Sequence, residues 1–209
     1  GHYSGILTGK TGKTHIEVGD IAVMRAMPHM TVVAPADGVE CALATRALTD
    51  LPGPVYLRVT RDATPVIFGE DHRFVPGKVV PLREGRDVTI FGTGVQSVRA
   101  LEACDLLAAE GISAHLVHVP TLKPVDVEGI LAAARKTGRV LTTEDHSVIG
   151  GLGGAVAEVL GQHAPTPMAI HGLQDCFGES GPNDAVLEKY GLTARHVAQA
   201  VKALLTRTR

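Results

Sequence analysis

Apolar positions along the 209-residue chain follow two alternating periods, and the alternation is most regular in its second half. Asp87 to Phe91 reads as a strand. Val95 to Glu110 reads as a helix, with Val98, Leu101, Cys104 and Leu107 recurring every third position and Gly111 ending it. His115 to Val119 is the next strand. Asp126 then caps a helix running through Arg135, which Gly138 stops. Val140–Thr143 (strand), Leu152–Leu160 (helix) and Met168–His171 (strand) follow. Thr193 caps a last helix whose Val197, Val201, Leu204 and Leu205 form one apolar face.

The first third carries a shorter version of the same rhythm. Residues 1–20, rich in Gly, Thr and His, read as a loop. Ile21–Met27 is a short helix stopped by Pro28, and Met30–Ala34 is a buried strand. Asp37 with Glu40 predicts a capping box at the start of a helix carrying Cys41, Leu43, Ala44 and Leu48. After Pro52-Gly53-Pro54, Val55–Thr60 forms another strand. Pro and Gly then cluster with charges between residues 62 and 78. The expected organisation is a partial α/β domain over 1–68, a linker over 69–82, and a doubly wound α/β domain with a mainly parallel sheet of about five strands over 83–209. Cutting such a first domain short is expected to expose apolar faces of Val32, Val33, Val55 and Leu57, favouring self-association or a partner. The opening, Gly1-His2-Tyr3-Ser4-Gly5, reads as the interior of a structural unit, which suggests a fragment or a processed subunit.

Composition narrows the class. A formal net charge of −2, with Lys and Arg scattered, offers no electrostatic footprint for nucleic acid or anionic membrane. Three separated cysteines, Cys41, Cys104 and Cys176, fit neither a disulfide framework nor a zinc site, and a reducing cytoplasm is the expected location. No apolar run is long enough to cross a bilayer.

Four segments carry candidate chemistry. Gly9-Lys10-Thr11-Gly12-Lys13-Thr14 resembles a phosphate loop, but Leu7 stands where the first glycine belongs, and no long helix follows. Its backbone N–H groups and lysines suit a substrate anion, or it is a solvated glycine loop. His2 and His15 flank it and offer a donor and a proton shuttle, or are ordinary loop histidines. Gly92-Thr93-Gly94 lacks the third glycine of a dinucleotide fingerprint, since Ser97 stands there, and reads as a tight turn. Glu144-Asp145-His146, followed by Gly150-Gly151-Leu152-Gly153-Gly154, reads equally as an anion or interface site and as close helix-to-sheet packing. His115 and His118, three apart on a strand, point to opposite faces and do not form a zinc pair.

In order, these segments resemble the transketolase family. His2, Gly12-Lys13-Thr14-His15, Asp20-Ile21-Ala22, Arg25, Pro28, Ala34-Pro35-Ala36-Asp37 with Glu40, and Pro54 to Arg61 are similar to the second half of a pyrimidine-binding domain. Glu84 to Ile90, Leu122 to Asp126, Thr143 to His146, Gly150 to Gly153, Asp175 to Gly181 and Tyr190 to Thr193 are similar to a transketolase C-terminal domain. The resemblance implies a C-terminal subunit of a split enzyme that depends on thiamine diphosphate and magnesium, with the metal held by an N-terminal transketolase-like partner in a homo- or hetero-oligomer. That enzyme moves a two-carbon ketol unit from a sugar or other two-carbon donor to an aldose or a carrier acceptor. It further implies that His2 lines the substrate channel, that His15 contacts substrate hydroxyls near the reacting carbon, and that Arg61, with Lys13 nearby, binds an anionic group. The family's activating glutamate and its pyrophosphate domain are expected on other chain segments. Thr11-Gly12-Lys13-Thr14-His15 departs from the usual Asp-Gly-Pro/Ala-Thr-His, which puts a standard pentose-phosphate donor in question. Two alternatives remain at this point: the β subunit of a 2-oxo acid dehydrogenase, and a non-catalytic assembly module.

Overall fold

A computed structural model describes residues 3–8 and 11–207. Its first part opens with β1 (Tyr3–Ser4) paired parallel to β2 (Ile16–Glu17), followed by α1 (Asp20–Ala26). β3 (Thr31–Val33), α2 (Gly38–Leu48) and β4 (Val55–Leu57) form one strand–helix–strand unit with the two strands parallel. The predicted capping box is half realised. Asp37 Oδ1 accepts the Glu40 N–H at 2.9 Å, but the Glu40 carboxylate takes the Ala36 N–H at 2.8 Å and not that of Asp37. The other Asp37 oxygen takes the N–H groups of Ile67 and Phe68, at 2.7 and 2.9 Å, and so ties the segment after β4 to the start of α2.

The second part is doubly wound, as the alternation predicted. Its strands are β5 (Val80–Arg83), β6 (Val88–Gly92), β7 (Ala114–His118), β9 (Val140–Ser147) and β10 (Met168–Leu173), with β8 (Thr121–Lys123) set apart from them. The five lie in the order β10–β9–β6–β7–β5, parallel except for the edge strand β5. Its helices are α3 (Gln96–Ala109), α4 (Val127–Thr137), α5 (Leu152–His163), α6 (Asn183–Lys189) and α7 (Ala194–Thr206). Strand residues alternate between faces. Val88, Ile90 and Leu116 pack with Cys104 and Leu107 of α3 and Val197 and Val201 of α7. Phe91, Val117 and Val140 pack with Ile130 of α4 and Val156 of α5. The stop at Gly138 is visible in its left-handed φ of 69°, and Asp126 caps α4 by accepting the Gly129 N–H at 3.1 Å. Thr193 occupies the N-cap position of α7 but does not cap it. Its hydroxyl meets the His196 ring instead, at 2.7 Å.

The two parts share a sheet, which periodicity did not suggest. β8 leaves the second part and pairs antiparallel with β3, giving a three-stranded sheet β4–β3–β8. With β8 on one side and α1 and α2 packed nearby, Val32 and Val33 are fully buried, and Val55 and Leu57 half-buried, so the expected exposed face is absent at these positions.

Two buried polar clusters complete the seam. Arg58, following β4, donates from Nε to Asp20 at 2.8 Å and from Nη1 to Asp145 at 2.6 Å, with all three side chains at most 2% exposed. Strand order reverses between β6 and β9, and the crevice at the carboxyl ends of such strands is where open α/β sheets ordinarily receive a ligand. Here the Arg58 guanidinium occupies it, beside Gly94 and Asp145. Burial opposes ionisation of Asp20, but Arg58 and the Tyr56 hydroxyl hold its carboxyl below the usual range. In the second cluster, Glu40 meets His118 Nε2 at 2.7 Å and His72 Nε2 at 3.1 Å, while His118 Nδ1 meets the Ser97 hydroxyl at 2.7 Å. One carboxylate thus joins α2, the segment after β4 and the second sheet.

The glycine-rich start of α5 resolves in favour of close packing. Glu144 accepts the N–H groups of Leu152 and Gly153 at 2.6 and 2.9 Å, so the helix N-terminus binds a carboxylate of its own chain. A Cβ on Gly151 would stand 1.9 Å from that carboxylate.

These clusters predict two stability effects. Arg58→Ala leaves two buried carboxylates without their cation and is expected to cost about 3–5 kcal/mol, read as a lowered urea midpoint; a loss near zero would show that the cluster relaxes into water. Burial pushes the Glu144 carboxyl up from 4.5 to about 7, against its two N–H donors. Folding therefore takes up a proton at Glu144 within that window, and the contribution is lost as pH rises through it. Glu144→Gln removes this titration but, because both carboxyl oxygens accept an N–H, sets its amide NH2 against one of those donors; its stability is expected to lack the fall that the parent shows between about pH 5 and about pH 8. Parallel stability–pH curves for the two proteins would show that Glu144 stays ionised.

Candidate functional site

The site forms where the first loop, the turn after β4 and the loop before α6 meet on the surface. β1 and β2 set its frame. Their parallel pairing places Tyr3 opposite Ile16, next in the chain to His15. The Tyr3 and His15 rings stack at a centroid distance of 5.8 Å and an interplanar angle of 26°. Arg61 lies beyond the end of β4, and its Cζ sits over the Tyr3 ring, 5.1 Å from the centroid. His15 and Arg61, far apart in sequence, are therefore both in contact with one aromatic ring. Both are exposed, as is Lys13 on the same loop. His15 Nδ1 is engaged by the Thr14 hydroxyl at 2.8 Å, which leaves Nε2 for another partner.

A second loop braces the first. Gly12 has a φ of +70°, and a Cβ there would come within 2.2 Å of the Ser180 hydroxyl. A Cβ on Gly178 would meet Ile16 at 2.8 Å. The Tyr190 hydroxyl donates to the Phe177 carbonyl at 3.0 Å, and Asn183 donates to Asp62 at 2.7 Å, next to Arg61. Gly5, with φ +72°, lets the strand after Tyr3 lie directly on Asp145, where a Cβ would stand 1.9 Å from the carboxylate. The buried Arg58 cluster thus forms the floor beneath the surface residues. Segment 62–66 borders two cavities, of about 280 Å³ beside Cys41 and Thr60 and about 360 Å³ beside Arg99 and Asn183.

Of the residues singled out from sequence, His15, Lys13 and Arg61 share this surface. His2, Gly9 and Lys10 lie outside the described residues. The lysine loop leads into β2 and not into a helix, so no phosphate-loop geometry forms over the described part. Gly92-Thr93-Gly94 is the expected tight turn, closed by the Ser97 N–H on Gly94 O at 3.1 Å. Sequence reasoning missed Tyr3 and Ser180. A single aromatic and a serine in polar loops leave no periodic signal, and only the folded chain shows what they touch.

Residues 3–66 match the transketolase pyrimidine-binding domain and residues 77–197 the transketolase C-terminal domain. The chain belongs to the transketolase family. It is 43% identical over 203 residues to the 6-deoxy-6-sulfo-D-fructose transketolase subunit SqwH of Clostridium sp. strain MSTE9, covering 97% of this chain and 63% of that one. It is 40% identical over 189 residues to an apulose-4-phosphate transketolase subunit of Phocaeicola vulgatus, covering 90% of this chain and 60% of the relative. Among solved structures, a split gene transketolase described as an inactive beta4 tetramer superposes with a TM-score of 0.92 at 46% identity, over 100% of this chain and 66% of that one. The chain therefore spans somewhat under two thirds of the length of each of these transketolase relatives. Among the described residues no helix is long and apolar enough to cross a membrane.

The bracing of the transketolase loop predicts that Gly12→Ala is costly. A left-handed φ and the contact with Ser180 together are expected to remove about 1–3 kcal/mol of stability. Adding Ser180→Ala relieves the contact but not the backbone strain, so the double variant is expected to recover only part of the loss in urea unfolding. A Gly12→Ala protein as stable as its parent would mean that the loop does not rest on Ser180.

Proposed function

We propose that this chain is the C-terminal section of a split transketolase that transfers a two-carbon ketol unit, with His15 facing the reacting end of the substrate and Arg61 binding an anionic group at the far end. The convergence of His15 and Arg61 on the Tyr3 ring carries this reading. Both are exposed, and their free hydrogen-bonding groups are of the right kinds: an imidazole nitrogen for a hydroxyl or a proton, and a planar guanidinium for a phosphate or carboxylate. Lys13 adds a second cation on the same loop. His2 belongs to the channel in this reading.

The reading includes thiamine diphosphate, which supplies carbanion stabilisation when bound, and magnesium. Among the described residues no group of three or more His, Cys, Asp or Glu is placed to hold a metal ion. His15, Lys13 and Arg61 are all exposed. These residues do not fit the cofactor and its metal by themselves, and we assign both to an N-terminal transketolase-like partner in an oligomer. The subunit naming of the two relatives, and the inactive beta4 assembly of the structural relative, support a chain that needs a partner for turnover. A cytoplasmic location, which free Cys41, Cys104 and Cys176 suit, belongs to the same proposal. The division into two domains is retained as part of it, with the start of the second drawn back from 83 to β5, which already pairs with β7, and with the stretch from 62 up to β5 as the expected site of limited proteolysis.

The test is reconstitution with the N-terminal subunit, thiamine diphosphate and magnesium. This chain alone is expected to give no ketol transfer, and the assembled enzyme to be active. In that enzyme Arg61→Ala is expected to weaken an anionic acceptor by about 1.5–3 kcal/mol in kcat/KM and a neutral one far less. His15→Ala is expected to slow both acceptors by roughly 10²–10⁴-fold. Turnover by the isolated chain overturns the split reading. An unchanged ratio of the two specificity constants in Arg61→Ala makes Arg61 a surface residue only.

A further inference from the structure

The Tyr3 ring is in contact with both residues assigned to substrate. Arg61 has no ion pair and donates no side-chain hydrogen bond among the described residues, although it is exposed and long. The ring face of Tyr3 is what restrains it. A guanidinium restrained by an aromatic ring keeps its N–H donors free for the oxygens of an anion. A carboxylate partner would restrain the same side chain by consuming those donors. On its other contact the ring stacks with His15, whose Nδ1 is already taken by Thr14. The backbone of Tyr3 pairs with Ile16, so the strand that fixes the ring also fixes the residue beside His15. The half-buried ring is therefore coupled to both functional groups, one through its face and the other through face and backbone.

We propose that Tyr3 is a positioning residue that holds the Arg61 guanidinium at a set distance from the His15 imidazole and so selects acceptors carrying an anionic group at one chain length. This rests on the assignment of His15 and Arg61 to substrate. Tyr3 itself touches neither the reacting atoms nor the anion; its hydroxyl is not required, only its π face.

Two substitutions separate these features. Tyr3→Phe keeps the face and removes the hydroxyl. Tyr3→Ile keeps strand propensity and removes the face. Each is assembled with the N-terminal subunit, alongside Arg61→Ala, and kcat/KM is measured for a phosphorylated aldose acceptor and for the same aldose without phosphate. Inhibition by inorganic phosphate, competing with the phosphorylated acceptor, gives a second reading of the anion site. Tyr3→Phe is expected to leave the ratio of the two specificity constants unchanged. Tyr3→Ile is expected to lower that ratio roughly fivefold and to weaken phosphate inhibition by a similar factor. The double variant Tyr3→Ile/Arg61→Ala is expected to show no lower ratio than Arg61→Ala alone. A merely structural role depresses both acceptors equally and leaves the ratio intact, which overturns the proposal. If Arg61→Ala shifts the ratio and Tyr3→Ile does not, Tyr3 is excluded while the assignment of Arg61 stands. If Arg61→Ala itself leaves the ratio unchanged, the underlying assignment fails and the role of Tyr3 falls with it.

Discussion

The arrangement of the whole chain turns on one buried cation. Arg58 comes from the first part of the molecule and enters the crevice at the carboxyl ends of β6 and β9, which belong to the second. Taking a guanidinium out of water is costly unless its charge and donors are matched, and two carboxylates from opposite sides match it here. Asp20 opens α1 and Asp145 lies on β9, so the ion cluster is also a geometric constraint on how those elements meet. Closing the crevice this way fills the usual ligand position of a doubly wound sheet with a side chain of the protein itself. Gly5 marks the connection, since the strand after Tyr3 can lie on Asp145 only where no side chain intervenes.

The remaining seam contacts follow the same logic. Glu40 is buried, and burial alone would push its carboxyl up, yet His118, the Ala36 N–H and His72 hold it below the usual range. The two apolar faces of the second sheet are filled by its own helices, but Ile21 and Val32 of the first part continue one of those cores. β8 pairs with β3 across the same boundary. Polar and apolar terms therefore both oppose separation of the parts, and the loop bearing His15 rests on a buried, ion-paired floor. Under the proposed roles of His15 and Arg61 such a floor matters, because positional error at the surface is inherited from whatever supports it.

Much of this was legible in the linear chain. The alternation of strands and helices from Asp87 onward dictated a doubly wound sheet, because a period of 2 and a period of 3.6 place their apolar residues on faces that only such layers bury together. Asp126, Gly111 and Gly138 marked their helix ends through local chemistry that needs no distant partner. The ordered motifs pointed to the transketolase family without help from the fold. What misled was local too: Thr193 has the right side chain for a cap, but the His196 ring one turn away competes for its hydroxyl.

Only the tertiary structure decided the rest. A three-residue strand such as β8 carries too few positions for a periodic signal, and its partner β3 is distant in sequence. Nothing in Val32 and Val33 announces that they are covered, because the cover comes from elsewhere in the chain. Arg58 and Arg61 look alike on paper, three positions apart beside one strand; one became the buried keystone and the other an exposed binding candidate. The glycines before α5 were equally consistent with an outside anion, until Glu144 of the preceding strand was seen to occupy the helix N-terminus. Only the folded chain brings the Tyr3 ring into contact with both His15 and Arg61. Sequence encodes local conformation and the apolar pattern directly, whereas the pairing of polar groups depends on which distant segments packing brings within hydrogen-bond reach.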